Sequence, residues 1–182
     1  MSERLASLEA IEAAAWAELS RAVTERGHAW RTPVLATVDG DAADARAVVL
    51  REVDAAGRRL LIYTDARAPK VAQLTSHPIG TLLMWSAALG WQLRCRVRLV
   101  FEDSGLSVAS RWATLQHSRA AQDYLSLRPP GAALDAGEPV AASREHFGVV
   151  TATVLSIDWL DLHPDGHRRA VFGERGARWL QP

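Results

Sequence analysis

Strict alternation between apolar and polar side chains over residues 91–101 constrains the fold more than any other stretch of this sequence. One side of the extended chain is apolar and the other is polar: Leu93, Cys95, Val97 and Leu99 alternate with Gln92, Arg94, Arg96 and Arg98. A period of two is typical of a β-strand, because successive side chains point to opposite faces. The pattern predicts a long strand with one face in a core and the other facing solvent or a ligand.

Several further segments have strand character. Turn signals at residues 39–40 and 54–57, which contain Asp and Gly, predict hairpins between the first of them. The predicted strands cover residues 34–38, 47–53, 60–64, 80–85, 149–162, 170–172 and 178–180. Because closure removes the exposed edges of an antiparallel sheet, the sequence predicts a mainly β fold with helices, a barrel of six to seven antiparallel strands with peripheral helices.

Three helices are predicted beside the strands. Apolar residues recur at helical spacing from Ser2, the predicted N-cap, to a glycine stop at Gly27. Shorter helices are predicted over residues 69–76 and 105–124, a loop over 128–141 and a helical turn over 143–146. With no repeat or linker in the chain, we expect a single domain, 1–182, with an N-terminal helix (1–28) and a barrel (30–182).

Composition excludes several classes of protein. A chain of 182 residues with 48% hydrophobic content can fill one sizeable core. The 21 basic and 21 acidic residues balance, so net charge favours neither nucleic acid nor an anionic membrane as partner. A single cysteine, Cys95, allows no disulfide framework. Since no run has the length of a membrane span or a signal peptide core, we expect a soluble, cytoplasmic protein.

The first candidate binding site is the stretch over residues 63–70, where a predicted strand passes directly into a predicted helix. A helix N-terminus presents unpaired N–H groups and a partial positive charge. Thr64, Arg67 and Lys70 around it therefore predict a phosphate site. A solvated loop with ordinary surface charges is the competing interpretation from residue types alone.

Two further candidates lie on predicted strands. Arg46 and Arg51 are an odd number of positions apart, so in a regular strand they project to opposite faces and cannot both bind one small anion. Gln92 carries an amide that both donates and accepts, which suits a heterocycle such as a flavin ring. Charged strand ends and a solvated strand face are the alternative interpretations.

Other chemistries lack their motifs. His163 and His167 are four residues apart, but Pro164 and Gly166 lie between them, so no metal site is predicted. The chain has no G-x-G-x-x-G, no G-x-x-x-x-G-K, no G-x-S-x-G and no H-E-x-x-H. Dinucleotide-binding, P-loop, α/β-hydrolase and zinc protease functions are therefore disfavoured.

Taken in order, four pieces of the sequence resemble the pyridoxamine 5′-phosphate oxidase family of FMN-binding split barrels. The pieces are Arg46-x-Val48-Val49-Leu50-Arg51, Tyr63-Thr64-Asp65-x4-Lys70, Gln92-Leu93-Arg94 and the closing segment 159–179. Their order and spacing together, rather than any single piece, carry the resemblance, which extends from about Trp30 to the C-terminus.

The resemblance implies a split barrel, FMN as cofactor, and the residues that contact it. In chain order these are Arg46, Val48, Val49, Leu50, Arg51, Tyr63, Thr64, Arg67, Lys70, Gln92 and Arg169. The family's flavin-neighbouring tryptophan falls at Trp159 or Leu160, and His167 and Arg169 become candidates beside the ring. Members are homodimers whose FMN sites use both subunits, so we expect a homodimer, in which Arg46 and Arg51 can act on opposite faces.

Two departures from the family pattern bear on activity. Ala68-Pro69 stand where the family has Ser-Arg before the helix lysine, and Arg67 is the residue that can replace the lost charge. The oxidases also carry an arginine two residues before the histidine that corresponds to His167, and both engage the substrate. Here that residue is Asp165. Because its charge is reversed beside an anionic substrate, we do not expect pyridoxamine phosphate oxidation.

The leading functional hypothesis is therefore an FMN-dependent oxidoreductase acting on an unidentified small molecule, with the redox chemistry supplied by the cofactor. A non-catalytic module that binds FMN, or that binds haem through His163 or His167, is an alternative from a different class. A third possibility is a deazaflavin cofactor, for which the Arg94, Arg96 and Arg98 face would form the basic groove.

Overall fold

A computed structural model describes residues 4–118, 121, 124, 128–133 and 146–182. Within these ranges the chain forms three α-helices: α1 (Leu8–Thr24), α2 (Pro69–Ser76) and α3 (Leu106–Leu115), with a 3₁₀ turn at Ala29–Arg31 after α1. It also forms nine β-strands: β1 (Val34–Asp39), β2 (Ala42–Ala47), β3 (Leu50–Asp54), β4 (Arg59–Asp65), β5 (Ile79–Ser86), β6 (Trp91–Glu102), β7 (Phe147–Asp161), β8 (Arg168–Gly173) and β9 (Gly176–Leu180).

All nine strands belong to one antiparallel sheet. Seven of them follow the order β2-β1-β5-β6-β7-β4-β3, and β8 pairs with β7 and with β9. β7 is the strand where the sheet divides. Along one edge it pairs with β6 over nearly its whole length, while its other edge pairs first with β4 and then with β8. This forked pairing splits the barrel, and it separates the β3–β4 half of the sheet from the β8–β9 hairpin.

The core lies on the inner face of the curled sheet, under α1. Leu93, Cys95, Val97 and Leu99 point into it, as their alternation predicted, and the arginines between them point outward. α1 contributes Ile11 and Leu19, both fully buried, and packs against β3 and the 3₁₀ turn. Each such leucine or isoleucine contributes roughly 1.5–3 kcal/mol by leaving water.

The first helix begins later than predicted. Ser7, not Ser2, is the N-cap, and its side chain accepts a hydrogen bond from the Ala10 N–H at 3.1 Å. Residues 4–6 lie outside the helix, where Arg168 donates to the Leu5 carbonyl at 2.7 Å. Serine is a good N-cap at either position, so the apolar spacing alone could not choose between them.

The strand predicted over residues 47–53 is two strands. β2 ends at Ala47 and β3 begins at Leu50, and the Val48 N–H between them donates to the Pro33 carbonyl at 2.9 Å. β2 went unpredicted because it contains no β-branched or aromatic residue. The described residues therefore hold nine strands, not six to seven, and Arg46 and Arg51 lie on different strands.

The other predicted elements differ mainly at their ends. α2 has the predicted bounds, the strand predicted over 149–162 is β7, and the predicted closing hairpin is confirmed as β8 and β9. α3 ends at Leu115, short of the predicted end at residue 124. Most of the predicted loop at 128–141 and of the turn at 143–146 lies outside the described residues.

No helix in the described ranges is long and apolar enough to cross a membrane.

Candidate functional site

Arg46 lies on the inner face of β2, directly across from the buried Leu35 of β1. Its guanidinium donates to Thr37 Oγ1 at 2.5 Å and to Gln73 Oε1 at 2.8 Å, and it forms an ion pair with Asp44. Gln73 comes from α2, which covers this part of the sheet. The arginine is therefore fixed between two strands and a helix.

Lys70 lies beside this arginine in the first turn of α2. Its Nζ donates to the hydroxyl of the buried Thr64 at 3.0 Å. Among the described residues no carboxylate lies within ion-pair distance of Nζ, although the side chain is half-buried. Burial lowers the pKa of Lys70, and the positive charge of Arg46 lowers it further. It is also the only lysine in the sequence.

The chain reaches α2 through a short connection that places Lys70 in the first turn of the helix. β4 ends at Asp65, whose carbonyl accepts the Ala68 N–H at 3.1 Å, and Pro69 opens the helix. The Arg67 guanidinium binds the Asp65 carboxylate at 2.7 Å and also donates to the Arg128 carbonyl. Arg67 is thus engaged in the loop rather than at Lys70.

We call Arg46, Thr64 and Lys70 the cation cluster. Two positive charges and one hydroxyl beside the start of a helix are donors of the kind that a phosphate group uses. A half-buried lysine without a carboxylate partner is costly unless an anion binds it. The donor set therefore fits the phosphate of FMN.

The remaining phosphate-side candidates lie elsewhere. Val48 and Leu50 are buried in the core, and Val49 is half-buried between the two strands. Arg51 stacks over the rings of Tyr63 and Tyr124, at 5.9 and 6.0 Å from their centroids. The predicted Tyr-Thr pair therefore separates, because consecutive strand residues face opposite sides.

Tyr63 belongs to a network that docks α3 onto the outer face of β4 and β7. Its hydroxyl donates to Glu52 at 2.5 Å, and Arg111 of α3 binds the same carboxylate at 2.6 and 2.9 Å. Hydrogen bonds from Arg111, and then from Tyr63, hold the pKa of Glu52 below its usual value, against the opposing effect of burial. Desolvation and Glu52 raise the pKa of Tyr63, so this phenol stays protonated.

Replacing Glu52 by glutamine should therefore lower the free energy of unfolding by about 1 kcal/mol at pH 7. Because the folded pKa is depressed, this stabilisation is present above the unfolded value of 4.5 and is lost as pH falls through the folded pKa. Urea unfolding of wild type and E52Q from pH 7 to pH 3 checks this. The difference between the two free energies of unfolding should close in acid, whereas E174Q, in the exposed turn between β8 and β9, should have the wild-type free energy of unfolding at pH 7.

The residues expected at the flavin ring form one row on the outer face of the sheet. Gln92 of β6 pairs with Leu160 of β7, which pairs with Arg169 of β8. Trp159 faces inward and is completely buried, so Leu160 is the one that shares a face with Gln92 and Arg169. We call Gln92, Leu160 and Arg169 the ring row.

Arg169 is held in place by Asp158, two residues before Leu160. The carboxylate accepts from Arg169 at 2.7 and 3.0 Å and also pairs with Arg94. Burial alone would raise the pKa of Asp158, but the hydrogen bonds from Arg169 and Arg94 lower it overall. A charged carboxylate therefore orients the one cation of the ring row.

The cation cluster and the ring row do not meet within one chain. Arg46 shares the inner face with Leu35, whereas Gln92 points outward between inward-facing neighbours. Thr64 pairs with Gly148 and Gln92 pairs with Leu160, twelve residues apart on β7 or about 40 Å along the strand. Four surface cavities of about 220–440 Å³ in the described ranges have linings that include no residue expected to contact FMN.

His167, which was predicted near the ring, and His163, a candidate haem ligand, lie in the loop between β7 and β8. His167 accepts the His163 N–H at 3.2 Å, and His163 accepts the Asp165 N–H at 3.1 Å, both through Nδ1. Within the part of the chain that the structure describes, no group of three or more His, Cys, Asp or Glu residues could hold a metal ion.

Several residues of these clusters were not predicted from the sequence. They are Thr37, Asp44, Gln73 and Asp158. Two of them could have been predicted from their spacing in the sequence. Asp44 is two residues from Arg46, on the same face of the strand, and Gln73 is three residues from Lys70, on one face of the helix. The roles of Thr37 and Asp158 could not be predicted from spacing, since their partners lie on other strands.

An antiparallel split barrel with a basic cluster at a helix start and a polar row on the opposite face defines the class of protein. A sequence model described as "Pyridoxamine 5'-phosphate oxidase, FMN-binding domain" matches residues 13–102. A pyridoxine/pyridoxamine 5′-phosphate oxidase from Thermosynechococcus vestitus is 31% identical over 159 residues, which cover 80% of this chain and 74% of that protein. The chain belongs to the pyridoxamine 5′-phosphate oxidase-like family of FMN-binding proteins.

Solved structures agree on the fold. A pyridoxamine 5′-phosphate oxidase-related, FMN binding protein from Nostoc punctiforme superimposes with a TM-score of 0.75 at 19% identity, covering 99% of this chain and 100% of its own. PhzG from Burkholderia lata, in complex with tetrahydrophenazine-1-carboxylic acid, gives 0.71 at 16% identity, covering 96% and 90%. These likenesses confirm the split barrel that the sequence predicted.

Proposed function

We propose that this chain binds FMN, with the phosphate at the cation cluster. The observation that carries the proposal is Lys70, a half-buried cation without a carboxylate partner among the described residues, which lies beside Arg46 and Thr64 at a helix start. A phosphate monoester carries nearly two negative charges at neutral pH. It would supply the charge that this cluster lacks.

We further propose that the FMN site is completed by a second copy of the chain. The cation cluster and the ring row lie on opposite faces of the sheet, so one copy cannot present both to one small ligand. Beside the ring row, the outer face carries Val34, Leu83 and Trp85, which are 37, 36 and 46% exposed. Trp85 pairs with Gln92 across β5 and β6, and Leu83 pairs with Val34 across β5 and β1. A homodimer that covers these apolar side chains would bring the ring row of one subunit to the cation cluster of the other.

The activity that this arrangement supports best is an FMN-dependent oxidoreductase. Bound FMN would supply the hydride-transfer chemistry, and the chain would bind and orient it. Gln92 offers an amide to the carbonyl and N–H groups of the ring, and Arg169, oriented by Asp158, offers a positive charge. Such a charge favours the electron-rich form of a bound heterocycle.

The first test is a visible absorption spectrum of the purified protein, followed by chromatography of what heat denaturation releases. FMN released in near one-to-one ratio with chain supports the proposal. A colourless protein that also fails to bind added FMN contradicts it.

Pyridoxamine phosphate oxidation is not expected, although the Thermosynechococcus relative is named for it. Asp165, in the loop that carries His167, would repel a substrate phosphate. We expect the FMN-loaded protein to form pyridoxal phosphate at least about 100-fold more slowly than a true oxidase, equivalent to about 2.7 kcal/mol in the barrier. Asp165→Arg should raise this rate, and a wild-type rate equal to the oxidase would contradict the proposal.

A further inference from the structure

The binding partners of Arg46 differ from those of Lys70 in one important respect. Arg46 already has an anion, because its guanidinium forms an ion pair with the carboxylate of Asp44. The same guanidinium also donates to Thr37 Oγ1, Gln73 Oε1 and the Leu35 carbonyl. Among the residues that the structure describes, Arg46 therefore already has a carboxylate partner and Lys70 has none.

Gln73 fixes this pairing. Its amide oxygen accepts from Arg46 and from the Thr37 hydroxyl at 2.7 Å, so its Nε2 is turned toward Asp44 and donates to the carboxylate at 2.9 Å. Gln73 is itself buried, and this orientation leaves Asp44 with two donors. These two hydrogen bonds, from Gln73 and then Arg46, hold the pKa of Asp44 below its usual value, which keeps it an anion near neutral pH.

Asp44 lies on the open side of the cluster. Its side chain is 44% exposed, whereas that of Arg46 is 20% exposed. The carboxylate can therefore turn into water without leaving a buried charge behind, while Arg46 stays fixed by Thr37 and Gln73. An incoming phosphate would then bind the Arg46 guanidinium in place of the Asp44 carboxylate. It would also accept a hydrogen bond from the Nε2 of Gln73.

We propose that Asp44 is a built-in competitor for Arg46, which holds the arginine in place without ligand and lowers the affinity of the site for the phosphate of FMN. This inference rests on the proposed function, since it concerns the same site. Asp44 is then an affinity-setting residue: it prevents the site from binding weakly charged or small anions tightly, and it favours a dianion that can displace a carboxylate.

The test compares Asp44→Asn with Asp41→Asn in fluorescence titrations of the cofactor-free protein with FMN and with riboflavin, which has no phosphate. Asparagine retains an acceptor for Arg46 and Gln73 but removes the charge. Asp41 is exposed on the same hairpin, and its carboxylate has no hydrogen bond among the described contacts. We expect D44N to bind FMN about fivefold more tightly, the factor set by an exposed ion pair of up to about 1 kcal/mol.

Riboflavin affinity should not change in D44N, and D41N should resemble wild type with both ligands. Asp44→Ala, which removes the competing group entirely, should shift FMN affinity in the same direction. An unchanged or weaker FMN affinity in D44N, or an equal gain for FMN and riboflavin, would overturn the inference. Failure of the wild type to bind FMN at all would instead contradict the proposed function, so the two failures are distinguishable.

Discussion

Lys70→Met should bind FMN about 30- to 1,000-fold more weakly than the wild type, the largest effect we expect from a single substitution. Removing one partner of a partly buried charge pair costs about 2–4 kcal/mol, and each 1.4 kcal/mol is tenfold in affinity. The loss is large here because, among the described residues, Lys70 has no carboxylate partner that a phosphate would first have to displace, whereas Arg46 has Asp44. Fluorescence titration of the cofactor-free protein measures it.

The same substitution should not destabilise the cofactor-free protein. Burial disfavours the charged form of Lys70, as its lowered pKa shows, so an apolar methionine of similar length removes a cost. We expect an equal or higher melting temperature in K70M, and unchanged affinity for riboflavin. Arg26→Met, which removes an exposed cation from the chain, is the matched control and should bind FMN normally. Normal FMN affinity in K70M would contradict a phosphate site at the cation cluster.

A chemical experiment tests the same residue without mutation. Because Lys70 is the only lysine, an amine-reactive reagent can label only this side chain and the N-terminal amine. A depressed pKa makes Lys70 reactive at mildly alkaline pH. FMN should protect Lys70 and leave the N-terminus unprotected, as peptide mass spectrometry would show.

Mixing two inactive variants should restore FMN binding in half of the sites of the mixed dimer. One variant, K70M, lacks the cation cluster's lysine, and the other, Q92A/R169A, lacks two members of the ring row. We expect the second to bind FMN about 30- to 2,000-fold more weakly, since it loses one neutral hydrogen bond of about 0.5–1.5 kcal/mol and one charged hydrogen bond of about 1.5–3 kcal/mol. A heterodimer then contains one site with both defects and one site with none, provided that each site takes its two halves from different subunits.

The readout is the stoichiometry of tight FMN binding to heterodimers purified through two different tags. One FMN per heterodimer at wild-type affinity is the expected result. If each site were built within one chain, every site in the heterodimer would carry one defect and no tight binding would appear. Wild-type protein that sediments as a monomer at micromolar concentration would also contradict the shared site.

Parts of this structure followed from local patterns. The alternation over residues 91–101 predicted β6 and its buried face, and proline at the first turn supported the prediction of α2 over residues 69–76. These predictions held because the signals are local: a strand repeats every two residues, and a helix start needs a particular first turn. The same kind of local pattern did not predict β2, because this short alanine-rich segment forms a strand only through its pairing with β1.

The sequence by itself determined the family and the candidate residues, because it supplied a helix-start lysine, a strand of alternating arginines and the ordered pieces of an FMN-binding family. Tertiary structure alone decided which of these residues meet. The break between β2 and β3 placed Arg46 on the inner face with Lys70 and Thr64, and the fork at β7 placed Gln92 and Arg169 on the outer face. It also brought Asp44 and Asp158 to their arginines. Pairing register and sheet curvature depend on contacts between residues far apart in the chain, and a local pattern does not contain them.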